Sequence, residues 1–468
     1  MAGFHAVVLA AGQGTRMRSA IPKVLHPLAG LPLVAHVINA AAEAGASSCS
    51  VVVPPDSPGF GKLKTPIKTQ FFEQRERLGT AHAVLMARSA LRDVSGPVAV
   101  LYGDTPLISP GSIRKLAAAV ANGAGMAVMG FDAKNPNGYG RLITSEDGEL
   151  LAIREEKDAT PEERKLTLCN SGLMAFSGGL LLPLLDRIDN KNNAGEYYLT
   201  DTVEIARPMG RHIACKVVDE DEVRGVNTRA QLAEVEAILQ ARLRLKAMDG
   251  GATLIAPDTV TFNHDTVTGQ DVLIEPNVFF GPGVVIEDGA HIKAFCHIEN
   301  SRIEREAIVG PFARLRPGTR VGPHAKVGNF VELKGADIEA DAKVSHLSYI
   351  GDTHIGEKAN IGAGTITCNY DGYRKHKTDI GAGAFIGSNS ALVAPVKIGE
   401  GAYVGSGSVI SKDVPPHSLA LTRAPQVHRE DWAKRMRARQ EAAKAQSGHA
   451  SGKESPSPPG GKPEKAEH

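Results

Sequence analysis

The sequence predicts an α/β domain with a mainly parallel sheet, joined by one helix to a parallel β-helix, and three observations carry that prediction. Over residues 1–227 short apolar runs alternate with helical patterns, as strands and helices wound into one sheet require. Residues 228–250 read as a single helix between domains. Over residues 251–437 an aliphatic side chain returns every six positions. That period suits neither a helix nor a hairpin array, but it fits short strands that each form one face of a coil. Residues 438–468, rich in Ala, Ser, Pro, Gly and Lys, are expected to lack fixed structure.

In the first domain the strand-like runs are AVVLAA, CSVVVP, VAVLYGD, GMAVMGF and IACKVV, and the helical ones LVAHVINAAAEAG and GTAHAVLMARSAL. The first run breaks into the loop LAAGQGTRMRSAIPK, residues 9–23, and a glycine-rich loop after a strand suits phosphate. It lacks the third glycine of a dinucleotide fingerprint, with Met17 there instead, and its nearest lysine, Lys23, follows Pro22, so it is not a Walker loop. Asp104 follows the run VAVLY, where an α/β sheet places ligands. In the joining helix Thr228 and Gln231 form a capping box. Leu232, Val235, Leu239 and Leu243 share a face, and Gly250 and Gly251 end it.

In the second domain the period runs through Ile274, Phe280, Ile286, Ile292 and Ile298, and slips to five before Ile303. After further slips it closes on Ile380, Ile386, Leu392, Ile398, Val404 and Ile410. Small residues between the aliphatics are expected to form the corners. The break at residues 368–379, CNYDGYRKHKTD, is a loop expelled from the coil, and such insertions carry function on solenoids.

Composition limits the partners. The chain has 468 residues, too many for one ordinary core, and 53 basic against 52 acidic residues create no field to draw nucleic acid or a membrane surface. Five scattered cysteines without a CxxC argue against a disulfide framework or zinc site. With no leader-like segment or membrane-length apolar run, a cytoplasmic location is expected.

LAAGQGTRM followed by Pro22-Lys23 resembles the signature of sugar-nucleotide pyrophosphorylases. With RLRPG, VGNFVELK, SHLSYIGD and NIGAGTITCNYDG, nearly the whole chain except the tail resembles a bacterial family. Its members join N-acetylglucosamine-1-phosphate uridylyltransferase to glucosamine-1-phosphate N-acetyltransferase. The resemblance implies a Rossmann-like nucleotidyltransferase domain, a left-handed β-helix, Mg²⁺, UTP and acetyl-CoA as co-substrates, and a homotrimer supplying precursors of peptidoglycan and lipopolysaccharide.

For uridylyl transfer the resemblance implies that Leu9, Ala10, Ala11, Gly12, Arg16 and Lys23 meet the nucleotide, that Gln74, Gly79 and Thr80 read the uracil, and that Tyr102 and Gly103 line the site. Asp104 and Asn227 would hold Mg²⁺, and Gly140, Glu155 and Asn170 would face the sugar. Read alone, Glu155 and its neighbours Glu156 and Lys157 are equally surface charge. For acetyl transfer His346 would be the general base, with Arg316, Lys334 and Lys375 on the sugar phosphate and Tyr349 and Asn360 completing the pocket. Ala363, Asn369, Tyr370, Ser388, Ser406 and Arg423 would contact the coenzyme. Cys368 is read as structural, since direct transfer to an amine needs no covalent stage. Arg77, where the family has an amide, and Ser406, where alanine is common, depart from the pattern. Two alternatives stay open here: a single-activity pyrophosphorylase with a regulatory β-helix, and a non-catalytic trimeric scaffold.

Overall fold

The computed structural model describes residues 3–146 and 149–450. The first domain is built on one sheet whose main path runs Ile213–Val218, Met126–Asp132, Leu168–Ser177, Pro97–Tyr102, Phe4–Leu9, Ala46–Val53, Lys68–Glu73. All neighbours are parallel except at Leu168–Ser177, which opposes the strands on both sides. The five apolar runs fall on five of these strands. The reversed strand and the hairpin Arg141–Thr144 with Leu150–Arg154 beside it are additions to the sequence reading. Helix Leu33–Glu43 matches its pattern, whereas the pattern over 79–91 divides at Ala87 into Thr80–Met86 and Arg88–Leu91. Strands Phe4–Leu9 and Pro97–Tyr102 are parallel neighbours, so the glycine loop after one and Asp104 after the other emerge at the same edge.

The joining helix, Arg229–Asp249, starts at the capping box: Gln231 N–H donates to Thr228 Oγ1 at 3.2 Å, and Gln231 Oε1 accepts from Thr228 N–H at 3.1 Å. It is a shared wall rather than a tether. Val235 is buried with Met17, Leu28, Leu33 and Leu107 of the first domain, while Ala247 belongs to the core of the second. Gln240 is buried and exchanges two hydrogen bonds with the backbone of Phe262, at 2.7 and 2.8 Å. The domains also touch directly, through His264 N–H on the carbonyl of Ala29 at 2.9 Å.

The second domain is a three-faced prism of parallel sheets with ten, eight and eight strands. Successive coils stack in register, as Leu315 over Leu333 does, and the aliphatic of each repeat points inward into one continuous core. Each such side chain contributes about 2 kcal/mol of burial, which offsets the ordering of very short strands. Many corners are the small residues expected, left-handed Asn277, Asn300, Asn389, Gly318, Gly364 and Gly407 among them, but one edge departs from that expectation. Along that edge Phe295, Phe312, Phe330 and Leu347 all adopt left-handed backbone, which costs a non-glycine residue roughly 1–2 kcal/mol. Their rings stack at centroid distances of 4.9 and 5.2 Å, a gain that small corner residues could not make.

One expectation is corrected. Residues from 438 were expected to lack fixed structure, yet a helix spans Trp432–Ala450. The Ala, Arg, Gln, Glu and Lys that fill it are strong helix formers, so local propensity builds it without an apolar face. The remainder of that segment, 451–468, lies outside the described residues.

Candidate active sites

In the first domain the glycine loop is fitted to a lysine. Gly14 has φ 61°, and a Cβ there would stand 2.5 Å from Cβ of Lys23, so the missing side chain lets Lys23 pack beneath the loop. Lys23 is 7% exposed. Its ammonium forms a short ion pair with Asp104 and donates to Asn227 Oδ1 at 2.9 Å. The segment carrying Asn227 is tied in by Val226 N–H on the carbonyl of Asp104, at 2.9 Å. Two hard oxygens from distant parts of the chain thus converge on one cation. That donor set fits a small divalent ion that keeps several waters and takes further oxygens from phosphate. Among the described residues no group of three or more His, Cys, Asp or Glu is arranged for a metal, so such an ion would depend on substrate and water for its remaining ligands.

Leu9, Ala10, Ala11, Gly12, Lys23, Gln74, Gly79, Thr80, Tyr102 and Asp104 line one cavity of about 260 Å³, with Arg77 and Glu196. Gly103 lies just behind it, its N–H on the carbonyl of Leu9 at 2.9 Å. Gln74 is buried, and its amide donates to the carbonyl of Gly79 at 3.3 Å. Gly79, at φ 118°, is pressed against the backbone of Tyr197, which a Cβ would meet at 2.4 Å. The departure at Arg77 has a visible consequence: its Nε donates to the carbonyl of Ala11 at 3.1 Å, so a guanidinium braces the glycine loop.

A second cavity of about 300 Å³ shares Tyr102 and Asp104 and adds Arg16, Asn227, Tyr139 and Ser171. Beside it stand Gly140, Asn170 and Glu155. Asn170 N–H donates to the carbonyl of Gly140 at 2.8 Å, and both Glu155 oxygens lie 3.4 Å from where a Cβ on Gly140 would be. Thr200 donates its hydroxyl to Glu155 Oε1 at 3.2 Å. Burial pushes the Glu155 carboxyl up, and burial, followed by Glu155 and Asp104, pushes the Tyr102 phenol up. Arg141 is wholly buried and pairs with Glu156 at 2.8 Å, clamping the two turns that present Gly140 and Glu155. Glu155 and Glu156 are therefore built into the domain, whereas Lys157 is exposed. Thr200, Tyr139, Ser171 and Glu196 were not legible in the sequence, since none stands in a motif and only folding brings them here.

On the prism the expected residues lie on an open face and its two edges. Arg316 and Lys334 are register partners on successive coils. Arg316 pairs with Glu332 at 2.9 Å, and Lys334 stands 4.0 Å from Asp352. Lys375 of the expelled loop comes against Lys334, whose bonded ammonium holds the Lys375 amine below its usual range. Two adjoining amines beside a guanidinium form a cradle for a polyanion. Tyr349 sits one coil above Glu332, and Asn360 one coil above Lys343.

The loop shape is set by Asp371, which the sequence reading did not single out. Its Oδ1 accepts from the N–H groups of Tyr373 and Arg374 at 2.7 and 2.6 Å, and its Oδ2 from His376 at 2.7 Å. The Arg374 amide first, then His376 and the Tyr373 amide, hold its carboxyl down at about 2. Asn369, buried at the loop base, donates to Asp352 at 2.5 Å, and the exposed Tyr370 donates to the carbonyl of Gly372 at 2.6 Å. At the other edge Asn329, His346, Ala363, Ser388 and Ser406 each precede a corner on successive coils. Asn389 N–H meets the carbonyl of Ala363, Gly407 N–H that of Ser388, and Arg423 donates to that of Ser406, all within 2.7–2.8 Å. His346 Nδ1 is 2.6 Å from Asn329 Oδ1.

Comparison with known proteins agrees with this division. Residues 6–171 match the MobA-like NTP transferase domain family, and residues 265–300 and 377–412 match the six-repeat bacterial transferase hexapeptide family, which marks the prism as a left-handed β-helix. The bifunctional protein GlmU of Azorhizobium caulinodans is 57% identical over 434 residues, 92% of this chain and 97% of that protein. The proteins of the same description from Xanthobacter autotrophicus and Paramagnetospirillum magneticum are 56% and 52% identical, over 92% and 94% of this chain and 97% and 98% of theirs. With a nucleotidyltransferase cavity at one end, an acyltransferase prism at the other and this identity along almost all the length between, the chain belongs to the GlmU family of bifunctional acetyltransferase/uridylyltransferases.

Proposed function

We propose the residues and the assembly through which this chain performs its two transfers. On the prism the amine of glucosamine 1-phosphate must lose a proton before it can attack the thioester carbonyl of acetyl-CoA. His346 takes that proton, Arg316, Lys334 and Lys375 hold the sugar phosphate, and the coenzyme thiol leaves. Tyr349 and Asn360 complete the sugar pocket. Small side chains at Ala363, Ser388 and Ser406 leave a track for the coenzyme, with Asn369, Tyr370 and Arg423 beside it.

In the first domain a phosphate oxygen of N-acetylglucosamine 1-phosphate attacks the α-phosphorus of UTP and pyrophosphate leaves. Backbone amides from Gly12 to Thr15, with Arg16 and Lys23, neutralise the phosphates and hold them in line. Gln74, Gly79 and Thr80 meet the uracil, and Gly140, Glu155 and Asn170 meet the sugar. Asp104 and Asn227 would hold Mg²⁺, which when bound supplies further neutralisation of the phosphates. The observation that carries this reading is the shared wall of the two cavities: Tyr102 and Asp104 face both, so two anionic substrates would meet at Lys23, Asp104 and Asn227.

The assembly is a homotrimer formed through the prism. Phe295, Phe312, Phe330 and Leu347 are 46–61% exposed in one ladder that ends beside His346, and a closed cyclic arrangement of second copies would cover it. A cytoplasmic location is supported by five free cysteines. No helix among the described residues is long and apolar enough to cross a membrane.

The test supplies each half-reaction with its own substrates and then removes divalent metal with a chelator. Uridylyl transfer is expected to stop and return with Mg²⁺, while acetyl transfer continues. Loss of both would overturn the assignment of the metal to the first domain.

A further inference from the structure

We infer that Asn329 is a positioning residue for acetyl transfer: its side-chain oxygen accepts the Nδ1–H of His346, fixing the imidazole so that the free Nε2 lone pair is the base. The inference rests on the reading of His346 as the base. Asn329 and His346 are register partners on adjacent coils, 2.6 Å apart between Oδ1 and Nδ1. Their backbones stack closely, Gly328 lying so near the carbonyl of Ser345 that a Cβ would stand 1.8 Å from it. A side-chain oxygen offers no proton, so the ring nitrogen facing it must carry one. The neutral tautomer has one N–H, and the opposite nitrogen is then the sole acceptor. On the coil above, the same position is Ala363, whose methyl offers nothing to Nε2, and His346 is exposed.

The partner is an amide and not a carboxylate, and that has a chemical consequence. A carboxylate would stabilise the imidazolium and make the ring hold its proton between turnovers; an amide fixes the tautomer without adding a charge beside the ring. The charged groups on the strands packed around His346 are Lys326 and Lys343 on its own face and Arg316, Glu332 and Lys334 on the next. Glu332 is taken by Arg316, and Lys334 stands toward Asp352, so neither is paired with the ring.

The test compares Asn329→Asp, Asn329→Leu and His346→Ala in the full-length protein, with kcat and KM for acetyl transfer followed across pH and uridylyl transfer as the control for folding. Asn329→Asp keeps the acceptor and adds a charge. The acid limb of its kcat profile is expected to move up by about one pH unit, with kcat above that limb within roughly threefold of the parent. Asn329→Leu loses the acceptor, and kcat is expected to fall roughly 10- to 100-fold with KM for both substrates within about twofold. Should the leucine variant fail to fold, the limb of the aspartate variant decides alone. An unshifted limb in Asn329→Asp, or an unchanged kcat in folded Asn329→Leu, overturns the inference while leaving His346 as the base. Acetyl transfer surviving in His346→Ala would remove the base reading itself.

Discussion

The two active regions are built in opposite ways. In the first domain one chain folds around its candidate site: strand ends, the glycine loop, the Arg141 clamp and the segment of Asn227 enclose two joined cavities from five or more separate stretches. On the prism the candidate side chains stand in rows on an open face, each row spaced by the coil repeat, with the expelled loop rising above it. An enclosed pocket draws its specificity from depth within one chain. A flat repetitive face gains depth only when something else is laid against it, and the exposed phenylalanine ladder beside His346 is where a second copy would do so.

The largest effect separates the two regions outright. Asp104→Ala removes one of the two oxygens that share the Lys23 ammonium, and uridylyl transfer is expected to fall roughly 10³- to 10⁵-fold, with acetyl transfer unchanged. Each half-reaction is assayed with its own substrates, and a parallel loss of acetyl transfer in a folded protein would mean the regions are not independent. The converse is His346→Ala, for which acetyl transfer should drop ~100- to 10,000-fold and uridylyl transfer persist.

A smaller and sharper test bears on enclosure itself. Phe312→Asp places a charge in the middle of the stacked ladder, between Phe295 and Phe330. If a neighbouring copy closes the prism site, the substitution costs about 2 kcal/mol or more per contact. Light scattering should then show dissociation at dilute protein, with acetyl transfer falling ~30-fold in step and uridylyl transfer unaffected. Intact acetyl transfer from a monomer would show that the open face is sufficient.

The same contrast explains what was legible in the sequence. The prism could be read almost coil by coil because its core demands one aliphatic per face at a fixed period, and Ile274, Leu315 and Ile398 each point inward as that period requires. Its Gly and Asn corners follow the same rule, but one edge does not, since its left-handed phenylalanines are explained by stacking between coils and not by local preference. In the first domain Lys23 and Asp104 stood out in motifs, but Thr200 on Glu155 and the Arg141–Glu156 pair are long-range contacts that leave no local pattern. Helix Trp432–Ala450 is obscured for the opposite reason: its biased composition resembles a solvated tail although most of its residues favour helix.

The smallest expected effect concerns the one part of the prism face that is not repetitive, the loop organised by Asp371. Its carboxyl is held at about 2 against an ordinary 3.8. Because the folded value is depressed, the contribution of this group to loop order is complete above pH 3.8 and is lost as pH falls toward 2, so at neutral pH it is fully present. Asp371→Asn removes the charge while keeping the shape, and the N–H groups of Tyr373 and Arg374, which donate to Oδ1, should exchange with solvent faster. Lys375 follows these residues in the chain and lies beside Lys334. The loosened loop should therefore raise KM for glucosamine 1-phosphate by roughly three- to tenfold, with kcat nearly unchanged, because a phosphate contact made equally in ground and transition states enters KM. Uridylyl transfer should not respond. Faster exchange at Tyr373 and Arg374 with an unaltered KM would show that the loop is ordered by Asp371 yet takes no part in holding the sugar phosphate, and Lys375 would then have to be withdrawn from the site.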